Sequence, residues 1–101
     1  MPKDRIIKIK NKKIGGKNPC FIIAEIGINH NGSLQLAKKI IDVALSSGAD
    51  AVKFQNYWTE DFLENKKIDF TYRVKKRKIK KNQFEMFKKC ELSNKMIIEL
   101  K

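Results

Sequence analysis

The segment from Phe21 to Gln55 constrains the fold most, because it reads as a strand, a loop, a helix and a second strand. The apolar run FIIAEIG is followed by the turn formers NHNG, by apolar residues at helical spacing, and then by DAVKFQ. Ser33 is predicted to cap the helix, and Gly48 is predicted to end it in a left-handed conformation. A strand, a helix and a strand in this order form a parallel crossover unit. The sequence therefore predicts an α/β fold with two adjacent parallel strands.

Polar residues stand near the end of each predicted strand. Because strand side chains alternate between two faces, Glu25 lies on one face of the first strand, and Lys53 and Gln55 share a face of the second. Val52 and Phe54 lie on the opposite, helix-facing side. The carboxylate of Glu25, the ammonium of Lys53 and the amide of Gln55 are thus expected to converge on the interior of the fold, on the side of the sheet opposite the helix. Burying an unpaired carboxylate costs several kcal/mol, which favours a functional Glu25, and a structural ion pair with Lys53 is a compatible alternative.

The loop after the first strand carries Asn29 and the only histidine of the chain, His30. Loops at the carboxyl ends of barrel strands build active sites, so we expect both residues on the rim of a site. One histidine is not a metal site, and loop organisation or substrate contact is the preferred role for His30. Gln55 is either a substrate ligand or a hydrogen bonder that ends its strand.

The formal charge of +12 raises nucleic acid as a partner, but the pattern of charge argues against it. The cations are nearly all lysine and are spread along the chain, and the only arginines are Arg5, Arg73 and Arg77. The block VKKRKIKK, from Val74 to Lys81, is interpreted as a solvated loop or strand surface that could also ring the approach of an anionic substrate. A small basic binding module remains an alternative.

The flanking segments predict further elements. RIIKIKNKKIGGKNP alternates apolar and basic residues and predicts a hairpin that turns at Gly15 and Gly16 and ends at Pro19. QFEMFKKCELSNKMIIELK is helical on both sides of a break at Ser93. The stretch between these helices and the second strand is too irregular for a single element.

Cysteine content and apolar runs set the expected environment. Cys20 and Cys90 have neither metal-site spacing nor the density of a disulfide scaffold, so reduced thiols are expected. The opening MPKDRIIKIKNKK has no long apolar run, which predicts a cytoplasmic protein without a signal peptide or membrane span.

At these residues the chain resembles a known family. AEIGINHNG, followed one helix later by GADAVKFQ, looks like the N-terminal part of the sialic acid synthase family, which includes N-acetylneuraminate, legionaminic acid and pseudaminic acid synthases. QFEMFKKCELS resembles the family's helix after the second strand, and the basic hairpin resembles the one that covers the barrel floor. The resemblance implies the N-terminal portion of a TIM (β/α)8 barrel, with a hairpin over residues 1–19 and the first β/α units over residues 20–101. A closed barrel takes roughly 250 residues, so the remaining strands and an antifreeze-like domain are expected outside this segment.

The resemblance also implies an activity. Members condense phosphoenolpyruvate with an N-acetylated amino sugar, such as N-acetylmannosamine, and form a nine-carbon 2-keto acid and phosphate. By this resemblance Glu25 is catalytic and orients water or moves a proton, while Lys53 holds phosphoenolpyruvate. Gln55, Asn29 and His30 are assigned to substrate binding. A divalent metal, Mn²⁺ or Mg²⁺, would polarise the sugar aldehyde from ligands in later strands, and the full-length protein is expected to be a homodimer.

One departure from the family pattern leaves the identity of the acceptor sugar undetermined. Between Asp69 and Asn82 the chain lacks the Pro-Gly-Asn type of loop with which some members touch the acceptor. The 101 residues alone are expected to be inactive, because two barrel strands cannot close a core. An aldolase-like barrel in which Lys53 forms a Schiff base is a further alternative.

Overall fold

The computed structural model describes residues 5–101, so residues 1–4 of the predicted hairpin segment lie outside the described residues. Within that range the chain is α/β, with three two-stranded sheets and four helices. The elements in chain order are β1 (Ile7–Ile9), β2 (Lys12–Ile14), β3 (Ile23–Gly27), α1 (Leu34–Ser46), β4 (Ala51–Phe54), α2 (Thr59–Phe62), β5 (Asp69–Val74), β6 (Arg77–Asn82), α3 (Gln83–Lys89) and α4 (Asn94–Leu100).

The predicted crossover unit is confirmed. β3 pairs in parallel with β4, and α1 connects them. The Ser33 hydroxyl accepts the Leu36 N–H at 3.2 Å, and Gly48 follows the helix with a φ of 90°. A left-handed residue at this point costs a glycine little, since it has no Cβ to clash with the backbone.

Helix α1 packs on the sheet through small residues. Ala37 and Ala44 are buried in the helix, and Ile26 is buried in β3. Seven residues separate the two alanines, which places them two turns apart on the same helix face. The α1 side of the parallel pair therefore forms an apolar core, which leaves the opposite face of the strands for polar side chains.

The first hairpin exists, but the predicted turn was wrong. β1 and β2 pair as an antiparallel ladder that closes at Ile9 and Lys12, so the turn lies at Lys10 and Asn11. Lys10 takes the left-handed conformation, with a φ of 49°. Gly15 instead allows a close backbone contact, because a Cβ there would lie 2.5 Å from the Arg5 carbonyl oxygen.

Asp50 fastens this hairpin to the parallel sheet. One carboxylate oxygen accepts the backbone N–H of Ile22 at 2.8 Å, and the other lies 3.0 Å from the Lys12 ammonium. These hydrogen bonds lower the pKa of Asp50, the Ile22 bond contributing most. Because Ile22 precedes β3 and Asp50 precedes β4, the first hairpin lies at the amino end of the parallel pair.

The irregular stretch after β4 contains a second hairpin that the sequence reading did not resolve. β5 and β6 pair from Asp69 with Asn82 to Val74 with Arg77. Phe70 and Tyr72 stack with ring centroids 5.8 Å apart on one of its faces. The interpretation of the VKKRKIKK block as strand surface is confirmed for β6, and Lys75 and Lys76 form the turn.

Glu91 joins the short helix α2 to the segment between α3 and α4. Its Oε1 accepts the backbone N–H of Thr59 at 2.8 Å and the Thr59 hydroxyl at 2.6 Å, and Thr59 is fully buried. This carboxylate takes the place of a local cap, because the residue before α2, Trp58, makes no side-chain cap bond. The predicted break is confirmed, since Ser93 caps α4 through the Met96 N–H.

The described elements leave much of their surface uncovered. The accessible area is 8784 Å², whereas roughly 5900 Å² is expected for a compact protein of this mass. Ile22 and Ile23 at the start of β3 are both more than half exposed. The β3–β4 face that bears Ile23 therefore has no apolar cover within residues 5–101.

Both cysteines are free, with Cys20 exposed and Cys90 buried at the end of α3. Among residues 5–101, none of the helices has the length and apolar character needed to cross a bilayer.

We predict that Thr59→Val destabilises the protein by about 2 kcal/mol at pH 7, since it keeps the buried volume and removes a hydrogen bond to a charged group. Urea unfolding of the intact protein measures this change. The Thr59 hydroxyl is the main cause of the lowered pKa of Glu91. The stabilisation is therefore full above the ordinary value of 4.5 and is lost as the pH falls through the lower folded value.

The matched control is Thr71→Val, at an exposed position of β5. This change is expected to alter the free energy of unfolding by less than about 0.5 kcal/mol. Equal effects of the two substitutions, or a Thr59→Val effect that does not shrink at acidic pH, would contradict the role given to Glu91.

Candidate active site

Glu25 and Lys53 are direct neighbours across the parallel pair. Their Cα atoms are register partners, and the Glu25 Oε2 lies 2.9 Å from the Lys53 Nζ. The prediction that these side chains share one face is confirmed. The expectation of burial was wrong for the described residues, in which the side chains are 52% and 65% exposed. A pair this exposed contributes at most about 1 kcal/mol to stability, so the fold does not depend on it.

Gln55 joins this pair at the end of β4, and Gly27 provides the space between them. A Cβ on Gly27 would lie 3.2 Å from the Gln55 Oε1 and 3.4 Å from the Glu25 Oε1. The strand register shifts between Glu25 and Gly27, and Gly27 takes a φ of 57°. This irregularity lets the acid and the amide approach the same point at the carboxyl ends of the strands.

Sequence reasoning missed Gly27 as a site residue. A glycine inside a strand pattern signals a bulge or a close approach by another group, and that signal was present in FIIAEIG. Its backbone is also held in place, because the Gln55 N–H donates to the Gly27 carbonyl oxygen at 3.3 Å.

Asn29 organises the loop that follows β3. Its side-chain amide donates to the Ile26 carbonyl oxygen at 2.9 Å, and its own backbone N–H donates to the same oxygen at 3.1 Å. The side chain remains exposed on the rim. The structure thus brings Glu25, Lys53 and Gln55 together and places Asn29 in the adjoining turn.

His30 lies inside this loop rather than on its surface. The ring is fully buried, and its centroid lies 5.9 Å from that of Phe54, on the helix-facing side of β4. Its Nδ1 accepts the Gly32 N–H at 2.9 Å, which requires an unprotonated Nδ1 and so favours the Nε2–H tautomer. Nε2 is buried and forms no hydrogen bond within residues 5–101. Burial lowers the pKa of His30, and the Gly27 backbone partly opposes that change.

The same loop is packed tightly against the end of α3. A Cβ on Gly32 would lie only 2.1 Å from the Lys89 carbonyl oxygen, and the φ of Gly32 is 77°. Only glycine fits a position that is both left-handed and this close to a carbonyl. The loop behind Glu25 is therefore fixed by a helix that lies far along the chain.

Aromatic side chains surround the outer end of β4. Tyr57, Phe62 and Phe87 pack edge to face, with ring centroids 5.2 to 5.7 Å apart. With Lys53 and Gln55 they line a depression of about 400 Å³. The Tyr57 hydroxyl donates to the Phe87 carbonyl oxygen at 2.6 Å, and burial raises the pKa of Tyr57 to about 12. This phenol therefore stays protonated and positions α3.

The described residues do not form a metal centre by themselves. Within residues 5–101, no three histidine, cysteine, aspartate or glutamate side chains meet at one point. Ligation of a divalent metal by residues outside this segment stays a prediction.

We predict that the His30 imidazole titrates below its ordinary value of 6.5, because burial favours the neutral ring. Since the folded pKa is lowered, the contribution of the neutral ring to stability is full above pH 6.5 and is lost as the pH falls through the folded value. An NMR titration of the ring protons, with hydrogen exchange of the Gly32 amide, measures both effects.

His30→Phe identifies the ring resonance by its loss. It keeps an aromatic ring beside Phe54 and removes the acceptor for the Gly32 N–H, so faster exchange at Gly32 is expected at all pH values. A wild-type midpoint at or above 6.5, or unchanged exchange in the variant, would contradict this account of the loop.

Comparison with known proteins identifies relatives of this chain. A model of the NeuB family matches residues 40–101. The N,N'-diacetyllegionaminic acid synthase of Legionella pneumophila is 48% identical over 90 residues, which cover 82% of this chain and 25% of that protein. The human N-acetylneuraminate-9-phosphate synthase is 47% identical over 62 residues, which cover 61% of this chain and 17% of that protein.

A solved structure superposes on nearly the whole of this chain. The N-acetylneuraminic acid synthetase of Leptospira borgpetersenii, crystallised with citrate, superposes with a TM-score of 0.74 at 39% identity, covering 96% of this chain and 29% of that one. The chain spans about a quarter of the length of the curated relatives that it matches over most of its own length. With a family model that matches more than half of its residues, the chain belongs to the NeuB family.

Proposed function

We propose that this chain is the N-terminal part of a synthase that condenses phosphoenolpyruvate with an N-acetylated amino sugar and forms a nine-carbon 2-keto acid and phosphate. Membership of the NeuB family and the names of the relatives support this proposal. The observation that carries it is the Glu25–Lys53 ion pair with Gln55 at the carboxyl ends of two parallel strands. We further propose that β3 and β4 are the first two strands of a TIM barrel, whose active site lies at that end.

Lys53 is the residue that we propose to bind the carboxylate or phosphate oxygens of phosphoenolpyruvate. An exposed ammonium at a strand end can form charge-assisted hydrogen bonds to a carboxylate or a phosphate. Before the ligand arrives, Glu25 balances this charge at 2.9 Å. When an oxyanion takes over Lys53, the Glu25 carboxylate is released beside the bound ligand.

Glu25 is then placed to move a proton or orient water. In the reaction the enol carbon of phosphoenolpyruvate forms a bond to the sugar aldehyde carbon, water adds to the carbon that bears the phosphate, and phosphate leaves to give the keto acid. Attack by water needs a base within hydrogen-bond reach, and a carboxylate can supply it. Gln55, whose amide oxygen approaches the same point over Gly27, is proposed to orient substrate.

His30 and Asn29 support the site in different ways. The buried ring of His30 holds the loop, so its contribution is to position the residues around Glu25 rather than to contact substrate directly. Asn29 is exposed on the rim and remains a proposed substrate contact. The divalent metal that the resemblance implies would take its ligands from outside residues 5–101.

The ion pair argues against a Schiff-base mechanism. A nucleophilic lysine is activated by a desolvated pocket or a neighbouring cation, whereas Lys53 is exposed and faces a carboxylate. Borohydride treatment in the presence of pyruvate separates the two reactions, since only a Schiff-base enzyme would gain mass.

We predict that Lys53→Ala in the intact protein raises the KM for phosphoenolpyruvate roughly 30-fold, which corresponds to about 2 kcal/mol for a lost charge-assisted bond. Phosphate release from phosphoenolpyruvate, with N-acetylmannosamine and related sugars as acceptors, measures the activity. The proposed function is wrong if the intact wild-type protein releases no phosphate with any such acceptor.

Lys39→Ala is the matched control, because Lys39 is an exposed lysine of α1 that forms no ion pair within residues 5–101. We expect it to leave the KM unchanged. An unchanged KM in Lys53→Ala would remove Lys53 from the phosphoenolpyruvate site even if the protein proves to be a synthase.

A further inference from the structure

The second hairpin rises from the same end of the parallel sheet as the candidate active site. Phe70, Tyr72 and Lys81 at its base line a depression together with Asn29 and Asn31 from the loop that follows β3. A second depression, of about 380 Å³, lies between the same loop and β6. The base of the hairpin therefore lies beside the loop that follows β3, at the strand end that carries Glu25.

The cations at the base of the hairpin have structural partners. Lys80 lies 3.6 Å from the Asp69 carboxylate, and the Lys81 ammonium lies 5.9 Å from the centroid of the Tyr72 ring. Such contacts fix the side chains along the ladder. They account for these two lysines without a ligand.

The cations nearer the turn have no such partner. These tip cations are all exposed and form no ion pair with any residue of 5–101, and they comprise Arg73, Lys75, Lys76, Arg77 and Lys78. Arg73 is the cross-strand partner of Lys78, and like charges in that position are destabilising. Lys75 takes a φ of 58°, where asparagine or glycine is favoured.

Folding alone therefore gives no reason for this concentration of charge. The first hairpin carries a similar cross-strand pair, Lys8 with Lys13, so the second hairpin is distinguished by its place at the carboxyl ends of β3 and β4. The five tip cations, without counterions among residues 5–101, lie on a hairpin whose base lines a depression with Asn29 and Asn31, in the loop that follows the Glu25 strand.

We propose that the tip cations draw an anionic substrate group, a phosphate or a carboxylate, toward the Glu25–Lys53 end of the sheet. This inference rests on the proposed function and adds a role for the segment in which the chain departs from the family's acceptor loop. Five steps along a strand place the tip about 17 Å from the base of the hairpin. The tip cations thus act on the approach of the substrate through their field, not by contact with the bound molecule.

The effect of the tip cations on substrate binding should depend strongly on the salt concentration. The Debye length is about 30 Å at 10 mM ionic strength and about 3 Å at 1 M. Charges that act over roughly 17 Å are felt at low salt and are screened at high salt. A direct contact with the bound substrate would depend much less on salt.

The first hairpin supplies a matched control. Lys8, Lys10 and Lys13 are exposed and form no ion pair within residues 5–101, and Lys8 faces Lys13 across the ladder. Lys10 occupies a left-handed turn position, as Lys75 does. This hairpin is fastened through Asp50 at the amino end of the sheet, away from the candidate site.

The experiment compares two triple variants of the intact protein. Lys75→Gln, Lys76→Gln and Lys78→Gln together neutralise the tip, and Lys8→Gln, Lys10→Gln and Lys13→Gln remove the same charge from the other hairpin. For the tip variant we expect the KM for the anionic substrate to be about tenfold higher than that of wild type at 10 mM salt. At 1 M salt we expect the two KM values to differ by less than about twofold. The kcat of the tip variant should be unchanged, and the first-hairpin variant should behave as wild type.

A charge-keeping triple, with arginine at 75, 76 and 78, separates charge from folding. It should retain the wild-type KM, and circular dichroism with thermal unfolding checks that all variants are folded. Equal effects in the two glutamine variants, no effect in either, an effect independent of salt, or a failure of arginine to preserve the KM would overturn the proposal.

The acceptor distinguishes the source of the anion. With neutral N-acetylmannosamine, only the KM for phosphoenolpyruvate should change if the donor is steered, whereas a change confined to the 6-phosphate of that sugar would indicate a charged acceptor. Wild-type phosphate release is read in the same assay. Its absence would refute the proposed function, while normal wild-type activity with an unaffected tip variant would refute the inference alone.

Discussion

The parallel pairing of β3 with β4 is the constraint on which the site depends. Parallel neighbours require a crossover connection, and α1 provides it by packing Ala37 and Ala44 against one face of the strands. With that face filled by apolar contacts, the alternation of side chains leaves Glu25 and Lys53 together on the other. The ion pair is a consequence of the register, since Glu25 and Lys53 are direct partners in the ladder.

Much of the precision of the site comes from glycines and from a distant helix. Gly27 lets two polar side chains approach one point, and Gly32 lets the loop touch the end of α3. His30 fills the space between this loop and β4 and is held by the Gly32 N–H. The loop is thus positioned by backbone contacts and burial, while the exposed charges beside it remain available for a ligand.

Charge is distributed unevenly between structural and proposed functional roles. Asp50 and Glu91 accept backbone N–H groups and tie separate elements together, which explains their lowered pKa values. The tip cations, in contrast, are unpaired within residues 5–101, and we propose that they attract anions. A lysine-rich composition is therefore compatible with a specific electrostatic role for one hairpin and a structural role for the other.

The sequence by itself determined the crossover unit, its caps at Ser33 and Gly48, and the shared face of Glu25, Lys53 and Gln55, because these follow from local periodicity and strand parity. It did not place the first turn at Lys10, and it did not reveal the second hairpin, because neither turn has the glycine or asparagine pattern that would mark both of its central positions. Only the tertiary structure decided that His30 is buried, that Gly27 separates the acid and the amide, and that Glu91 caps α2. Each of these depends on contacts between residues close in space whose packing no local pattern encodes.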